Sequence, residues 1–450
     1  MKWKKWAAAA VAVCLAFSLA GCRGSDKDSG EAGKGKVYFL NFKPEQEAAY
    51  QSIAKAYTDA TGVKVKVVTA AANTYEQQLK GEIAKKDAPT IFQINGPVGY
   101  ASWKNYCANL KDTKLYSHLL DKSIAITEGD GVYGIPLAVE GYGIIVNRSI
   151  MDKYFALSDA KAKSLEEIVG FDKLKAVVED MQAKRDALGI KGVFASTSLA
   201  PGEDWRWQTH LANVPLYYEF QKNQIDLTNS EQTAEVTFEY GNNFKALFDL
   251  YCNNSITEKG LLGSKTVNDS MAEFALGQCA MVQNGNWAYG QVSDTSGNVV
   301  KAEDVAFLPL YMGIEGEDRQ GLCIGTENFL CINKNASEAD QKASLDFLEW
   351  LFTSSEGKGR VTKDLGFIAP FDTFTDADKP SDPLAVNVLE WSEREGVTNL
   401  PWNFTVFPSQ TFKDNFGAKL LEYVQGRISW DDVAKYVVEG WKTEKQNAAG

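Results

Sequence analysis

The sequence predicts an α/β protein of at least two domains. Three observations predict it: apolar strand-like runs alternate with helix-period segments from residue 37 onward, the chain is long, and its composition is globular. At 450 residues it exceeds the roughly 250–300 at which a single core stops growing, so two or three domains are expected. Hydrophobic residues at 44% and charged residues at 24% separate it from disordered chains, which cannot bury enough apolar surface to offset their ordering entropy.

The elements follow in order. Val37-Tyr-Phe-Leu-Asn-Phe42 reads as a buried strand. Pro44 opens the next helix, whose inner face is Ala49, Ile53, Ala56, Tyr57 and Ala60, and Gly62 ends it. Val63–Val68 is a second strand. A helix capped by Asn73, with Glu76 three positions on, is expected next. Thr90–Ile94 is the third strand, and strands alternating with helices at this spacing imply a parallel sheet covered by helices. Val132–Asn147 holds two strand-like runs around glycines, Met151–Leu188 reads as one long helical region, and Gly321–Asn333 as another strand and glycine region. A helix capped by Ser337 and two amphipathic helices, Phe412/Phe416/Leu420/Tyr423 and Trp430/Val433/Val437/Trp441, complete the chain.

The N-terminus has its own grammar. Lys2, Lys4 and Lys5 precede an uncharged stretch, Trp6–Ala20, too short to span the roughly 30 Å of membrane hydrocarbon comfortably. Leu19-Ala20-Gly21-Cys22 follows, similar to the lipobox of bacterial lipoproteins, in which the cysteine sulfur receives a diacylglyceryl group. Residues 1–21 are therefore expected to be a signal peptide, Cys22 the lipidation site, and 22–36 a flexible tether. The stretch from Arg23 to Lys36 has no large apolar residue and would span roughly 20 Å. Gly30–Lys36 approximates a phosphate-binding loop, but Val37 replaces the required hydroxyl residue and a strand follows, so that motif is rejected.

Charge and side-chain chemistry exclude several functions. The formal charge is −12, and loss of three leader lysines makes it −12 − 3 = −15. Neither a nucleic-acid backbone nor an anionic membrane surface attracts such a chain. Its only histidines are His118 and His210, too few for most zinc sites, and neither metal nor cofactor is expected. Cys107, Cys252, Cys279, Cys323 and Cys331 are odd in number and lack C-x-x-C spacing, which reads as buried thiols, with a Cys323–Cys331 bridge as the alternative.

Tryptophan carries the functional signal. Trp103, Trp350, Trp391, Trp430 and Trp441 lie in helical patterns that packing explains. Trp205, Trp207, Trp287 and Trp402 instead sit beside turn-forming residues, flanked by Glu, Asp, Asn, Arg and Gln. Flat apolar faces beside hydrogen-bonding groups suit a sugar, whose C–H faces stack and whose hydroxyls pair.

Several segments together resemble the extracellular solute-binding proteins of carbohydrate ABC transporters, the family of maltose-binding protein. These are Ala56-Tyr-Thr-Asp-Ala-Thr-Gly-Val-Lys-Val-Lys-Val, Tyr133-Gly-Ile-Pro-Leu-Ala-Val-Glu-Gly-Tyr-Gly-Ile-Ile-Val-Asn, Ala272 through Asn284-Gly-Asn-Trp-Ala-Tyr, and Lys334-Asn-Ala-Ser through Gly366-Phe-Ile-Ala-Pro. The resemblance implies a two-lobed periplasmic-binding-protein-like fold with a multi-strand hinge and a ligand cleft between the lobes. Residues 37–138 would begin lobe 1. Residues 139–450 would form lobe 2, returning to lobe 1 around 290–335, with the C-terminal helices packed on lobe 2. Trp287 matches the stacking ring, Glu140 the carboxylate that accepts sugar hydroxyls, and Glu203 and Trp205 an acid-plus-aromatic loop with Trp207 nearby. Asn95 and Gln93 stand where the family has an aspartate and its maltose binder a tryptophan, which argues against maltose. Asn41, Lys43 and Glu45 follow the first strand, where the family places polar contacts; Tyr142 and Trp402 complete the set.

The expected function is that of a lipid-anchored receptor on the outer face of the cytoplasmic membrane. It would be a monomer that captures an oligosaccharide by hinge closure and passes it to a permease without catalysis. Two alternatives stay open: a secreted glycoside hydrolase using two of Glu140, Glu203 and Asp204, and a polyamine receptor of the same fold. Sugar type, linkage and length are set by cleft shape and are not legible in the sequence.

Overall fold

Strand pairing begins among the first three apolar runs. In the computed structural model, which describes residues 33–71, 74–227, 229–403 and 406–449, β1 (Val37–Asn41), β2 (Val65–Thr69) and β3 (Ile91–Asn95) lie parallel with β1 between its neighbours. The expected signal peptide, Cys22 and most of the tether fall outside the described residues. Pro44 starts a short 3-10 turn that leads into the helix Glu47–Thr61, whose inner face buries Tyr50, Ile53, Ala54 and Tyr57. The next helix, Tyr75–Glu82, differs from expectation. Thr74 stands at its N-cap with no side-chain capping bond, its hydroxyl donating instead back to the Ala71 carbonyl at 2.9 Å, and Asn73 lies outside the described residues. Glu76 instead accepts from the Trp103 indole at 3.0 Å.

After β4 (Ile126–Glu128), β5 (Gly131–Pro136) and β6 (Glu140–Asn147) come β7 (Met281–Gly285), β8 (Val305–Leu308), β9 (Gln320–Gly325), β10 (Asn328–Ile332) and β11 (Thr398–Leu400). They form two sheets. The first runs β2-β1-β3-β10-β5-β4, and the second β11-β9-β6-β7, with β8 also paired to β6. β10 lies antiparallel to β3 and β5, so the first sheet is mixed and only its opening strands match the parallel expectation. β6 is buried at all eight positions, as a central strand covered on both faces must be.

Met151–Leu188 is not one helix. It breaks into Arg148–Phe155, Phe171–Ala183 and Arg185–Leu188. Tyr154 holds the intervening loop: its hydroxyl accepts from the Lys161 amide at 2.9 Å and donates to Asp180 at 2.8 Å, and Gly170, at φ 79°, turns the chain into the second helix.

The fold has two lobes, one around each sheet. Val37, Phe39, Phe347, Leu348, Leu351 and Val361 share a core in the first, so the helices Glu338–Thr353 and Ser355–Lys363 belong to it. Phe244, Phe412, Phe416, Leu420, Trp430 and Trp441 share a core in the second, with the helices Gln410–Val424 and Trp430–Ala449. The chain passes between lobes after β5, after β9 and again near Ile368. These passages are tied together where Leu137 donates to the Asn328 carbonyl at 2.9 Å and Val139 to Ile368 at 2.8 Å. All five cysteines from Cys107 onward are free and buried. Cys323 and Cys331 lie on strands of different sheets, and the alternative of a bridge between them falls. Among the described residues no helix is long and apolar enough to cross a membrane.

Candidate functional site

A cleft of about 1890 Å³ opens between the lobes. Its lobe-2 wall is aromatic. The Trp287 ring lies 6.1 Å from Trp205 and 6.3 Å from Trp402, and meets the second at 90°. His210 sits among them, 4.9, 5.7 and 5.9 Å from Trp205, Trp287 and Trp402. Tyr142 supports the group from β6, 4.5 Å from His210 and 5.5 Å from Trp402.

Two glycines make this wall. Gly285 on β7 pairs with Tyr142, and Gly325 on β9 pairs with Glu140, so they flank β6 on either side. A Cβ at Gly285 would lie 2.1 Å from the Trp287 ring, and one at Gly325 would lie 2.6 Å from Trp402. Only bare backbone lets the two indoles fold back across the sheet end. Trp205 precedes a wide π-type turn, Arg206–Leu211, that continues into the helix Ala212–Lys222. Pro215 in that helix has no N–H to return to the Leu211 carbonyl, which favours the wider turn before it. The Arg206 guanidinium lies 4.8 Å from the Trp205 ring centre, away from the cleft. Burial lowers Arg206 to about 10, so it stays charged at neutral pH. Burial also lowers His210 to about 3, which keeps its imidazole neutral.

The lobe-1 wall is ionic and amide-rich. Lys43, just after β1, stands 3.8 Å from Glu45 and reaches across to Glu140 at the start of β6 in the lobe-2 sheet, to which it donates at 2.7 Å. The Lys43 and Glu140 side chains are 7% and 5% exposed, so the pair is desolvated. Burial alone would lower the Lys43 ammonium, but Glu140 and Glu45 outweigh it and hold Lys43 above its ordinary value. Asn41 brackets this residue: its amide donates to the Lys43 carbonyl at 2.8 Å, and its oxygen accepts from the Lys43 N–H at 3.1 Å. The Gln93 oxygen accepts from the Phe42 N–H at 2.6 Å. Further along, Asn95 and Asn328 face each other across β3 and β10. Asn95 donates to Glu327 at 2.8 Å. Lys413, on the helix Gln410–Val424, brings the opposing charge from lobe 2. Burial lowers Lys413 and raises Glu327, while their mutual attraction works against both shifts.

Eight residues singled out by the sequence line the cleft: Lys43, Glu45, Asn95, Glu140, Glu203, Trp205, Trp287 and Trp402. Four do not. Trp207, expected beside Trp205, is 2% exposed and packs into the lobe-2 core 4.7 Å from Tyr251, with its N–H donated to the Ser198 carbonyl. Asn41 and Gln93 are fully buried and hold the backbone that carries Lys43. Tyr142 is fully buried beneath the aromatic wall, donating to the His210 carbonyl at 3.0 Å. Glu203 lines the cleft and accepts from the Val267 N–H at 3.0 Å. The sequence did not mark His210, Gln208, Glu327, Asn328, Phe367 or Lys413, which also line it. The isolated His210 beside the Trp205 loop was the one available signal.

Two α/β lobes around an aromatic, polar cleft define a binding protein of the two-lobed periplasmic type. The chain belongs to the bacterial extracellular solute-binding protein family, whose model matches residues 52–387. Solved structures share the fold. A chitin oligosaccharide binding protein superposes with a TM-score of 0.72 at 18% identity, covering 93% of this chain and 100% of the other. A Bacillus licheniformis sugar transporter protein in complex with stachyose gives 0.66 at 16%, covering 91% and 100%. A solute-binding protein in complex with raffinose gives 0.65 at 17%, covering 91% and 99%.

Proposed function

We propose that this protein is a lipid-anchored extracellular receptor that binds an oligosaccharide between its lobes and delivers it to the permease of an ABC transporter. The observation that carries this reading is the grouping of Trp205, Trp287 and Trp402 along one wall of the cleft. Sugar rings stack on such faces, while the polar groups of the opposite wall pair with hydroxyls. Two or three stacked rings at about 1 kcal/mol each beyond area burial, with several hydrogen bonds at about 0.5–1.5 kcal/mol net, approach the roughly 8 kcal/mol of micromolar affinity. Ordering the ligand and closing the lobes reduce that sum. The sugars bound by proteins of like fold support the same class.

Closure follows from the placement of groups on both lobes: a ligand touching both favours the closed arrangement, and only that differential affinity shifts the population. Hydrolysis is disfavoured because each of the three candidate carboxylates already has a protein partner: Glu140 is paired with Lys43, Glu203 accepts from the Val267 amide, and Asp204 accepts from the Gln208 side chain. A thermal-shift screen over neutral and charged oligosaccharides tests the reading, since ligand at 100 times its dissociation constant stabilises by about 2.7 kcal/mol. No shift with any oligosaccharide, or cleavage of one, defeats it. Anchoring is tested separately: Cys22→Ser should move the protein from the membrane fraction to the medium.

A further inference from the structure

Acidic residues outnumber basic ones eleven to four in the cleft lining. Two of the four cations are already engaged by carboxylates. Lys43 is held by Glu140 and Glu45. Lys413 is attracted by Glu327, Asp414 and Glu76 together, and one ammonium among three carboxylates leaves negative charge in excess. Burial raises both Glu327 and Glu76, the mark of carboxylates short of compensating charge.

The unsatisfied buried atoms point the same way. Asn95 Oδ1, Asn328 Oδ1 and Gln208 Oε1 lie in cleft-lining residues, are buried and have no hydrogen-bond partner. Asn328 is 4% exposed and Gln208 2%. Carboxylates fix two of these amides. The Asn95 NH₂ is drawn to Glu327 at 2.8 Å and the Gln208 NH₂ to Asp204 at 3.4 Å, which leaves the oxygen of each as the free group. All three orphans are acceptors, and two flank Glu327, one across the strand pair and one next in sequence. Leaving a buried acceptor without a donor is costly, so the arrangement calls for a donor-rich occupant.

We propose that the oligosaccharide taken by this cleft is an amino sugar, whose protonated amine seats against Glu327, Asn95 and Asn328 while its rings lie along the tryptophan wall. An ammonium brings three donors and no acceptor, matching three acceptors and supplying the missing charge through charge-assisted bonds. A hydroxyl brings its own lone pairs and no charge. An N-acetyl group keeps one N–H and adds a carbonyl acceptor beside the carboxylate. The inference rests on the oligosaccharide reading above and specifies its ligand.

The test is calorimetric titration of the full chain with glucosamine oligomers of two to five units, their N-acetylated counterparts, and spermidine. The amine-bearing oligomers should bind at least about tenfold tighter than the acetylated ones. Glu327→Gln, and independently Asn328→Ala, should shrink that preference to less than about threefold in proteins that still melt cooperatively. Equal or tighter binding of the acetylated oligomers, or of any neutral oligosaccharide, overturns the amine inference and leaves the receptor reading standing. Spermidine binding as tightly as the oligomers removes the sugar and defeats both. Binding by none of the three overturns the amine inference, and the wider oligosaccharide screen then decides the receptor reading alone.

Discussion

The two walls of the cleft are built by opposite means. On lobe 2, apolar rings are held by packing: Trp287 and Trp402 fill the space left by Gly285 and Gly325, and Tyr142 and His210 close in behind them. On lobe 1, polar groups are held by other polar groups: Asn41 and Gln93 fix the backbone at Lys43, and Lys43 reaches across to neutralise Glu140 at the start of β6. The first wall offers faces and the second offers edges. A sugar presents both, so under the proposed function neither wall alone would recognise it, and walls on different lobes would couple recognition to closure.

Breaking the polar wall should have the largest effect. Lys43→Met leaves Glu140 buried and uncompensated and should cost about 3–5 kcal/mol of stability, read by urea denaturation. The double variant Lys43→Met with Glu140→Gln should recover most of that loss, because removing both charges removes the desolvation penalty. A double variant no more stable than the single one would mean that the wall is held by something else. Breaking the aromatic wall should act on binding instead. Trp287→Ala should weaken oligosaccharide affinity by about 2 kcal/mol, some thirtyfold by calorimetry, with a smaller stability change than at Lys43.

Asp204 sharpens the comparison from the pH side. Burial lifts its carboxyl to about 6, against 3.8 for the exposed group. Its folded value is the higher one, so its stabilising contribution is full below about pH 4 and lost as pH rises through about 6. Asp204→Asn should therefore raise stability at pH 7 by about 3 kcal/mol and flatten the variation between pH 4 and 7, followed by thermal melts. An unchanged melting profile would show that Asp204 carries no such penalty. The smallest effect on binding is expected at Trp207, which faces the core: Trp207→Phe should change oligosaccharide affinity by less than about twofold while lowering the melting temperature.

These contrasts also mark what a sequence can reveal. The order of the first strands was legible because each apolar run is short and bounded by helix-period residues. Trp287 was legible as a loop ring from its Gly285 and Asn286 neighbours. Trp205 and Trp207 looked alike because a π-type turn breaks the 3.6 periodicity that would assign each a side. Asn41 and Gln93 gave no sign of their inward position, since the strands that carry them are buried on both faces and lack alternation. Lys413 reads as the solvent side of an amphipathic helix bearing Phe412 and Phe416. It becomes a cleft residue only because that end of the helix lies at the mouth between the lobes. Glu327 and Asn328 sit at a passage between lobes, a location that only tertiary structure defines.

Hydrogen exchange with and without a saturating oligosaccharide tests the coupling of the two walls most directly. Protection should rise together at residues 203–210 and 285–289 on lobe 2 and at 41–45 and 93–96 on lobe 1. Protection confined to one lobe, or placed away from the cleft, would contradict a ligand held between them.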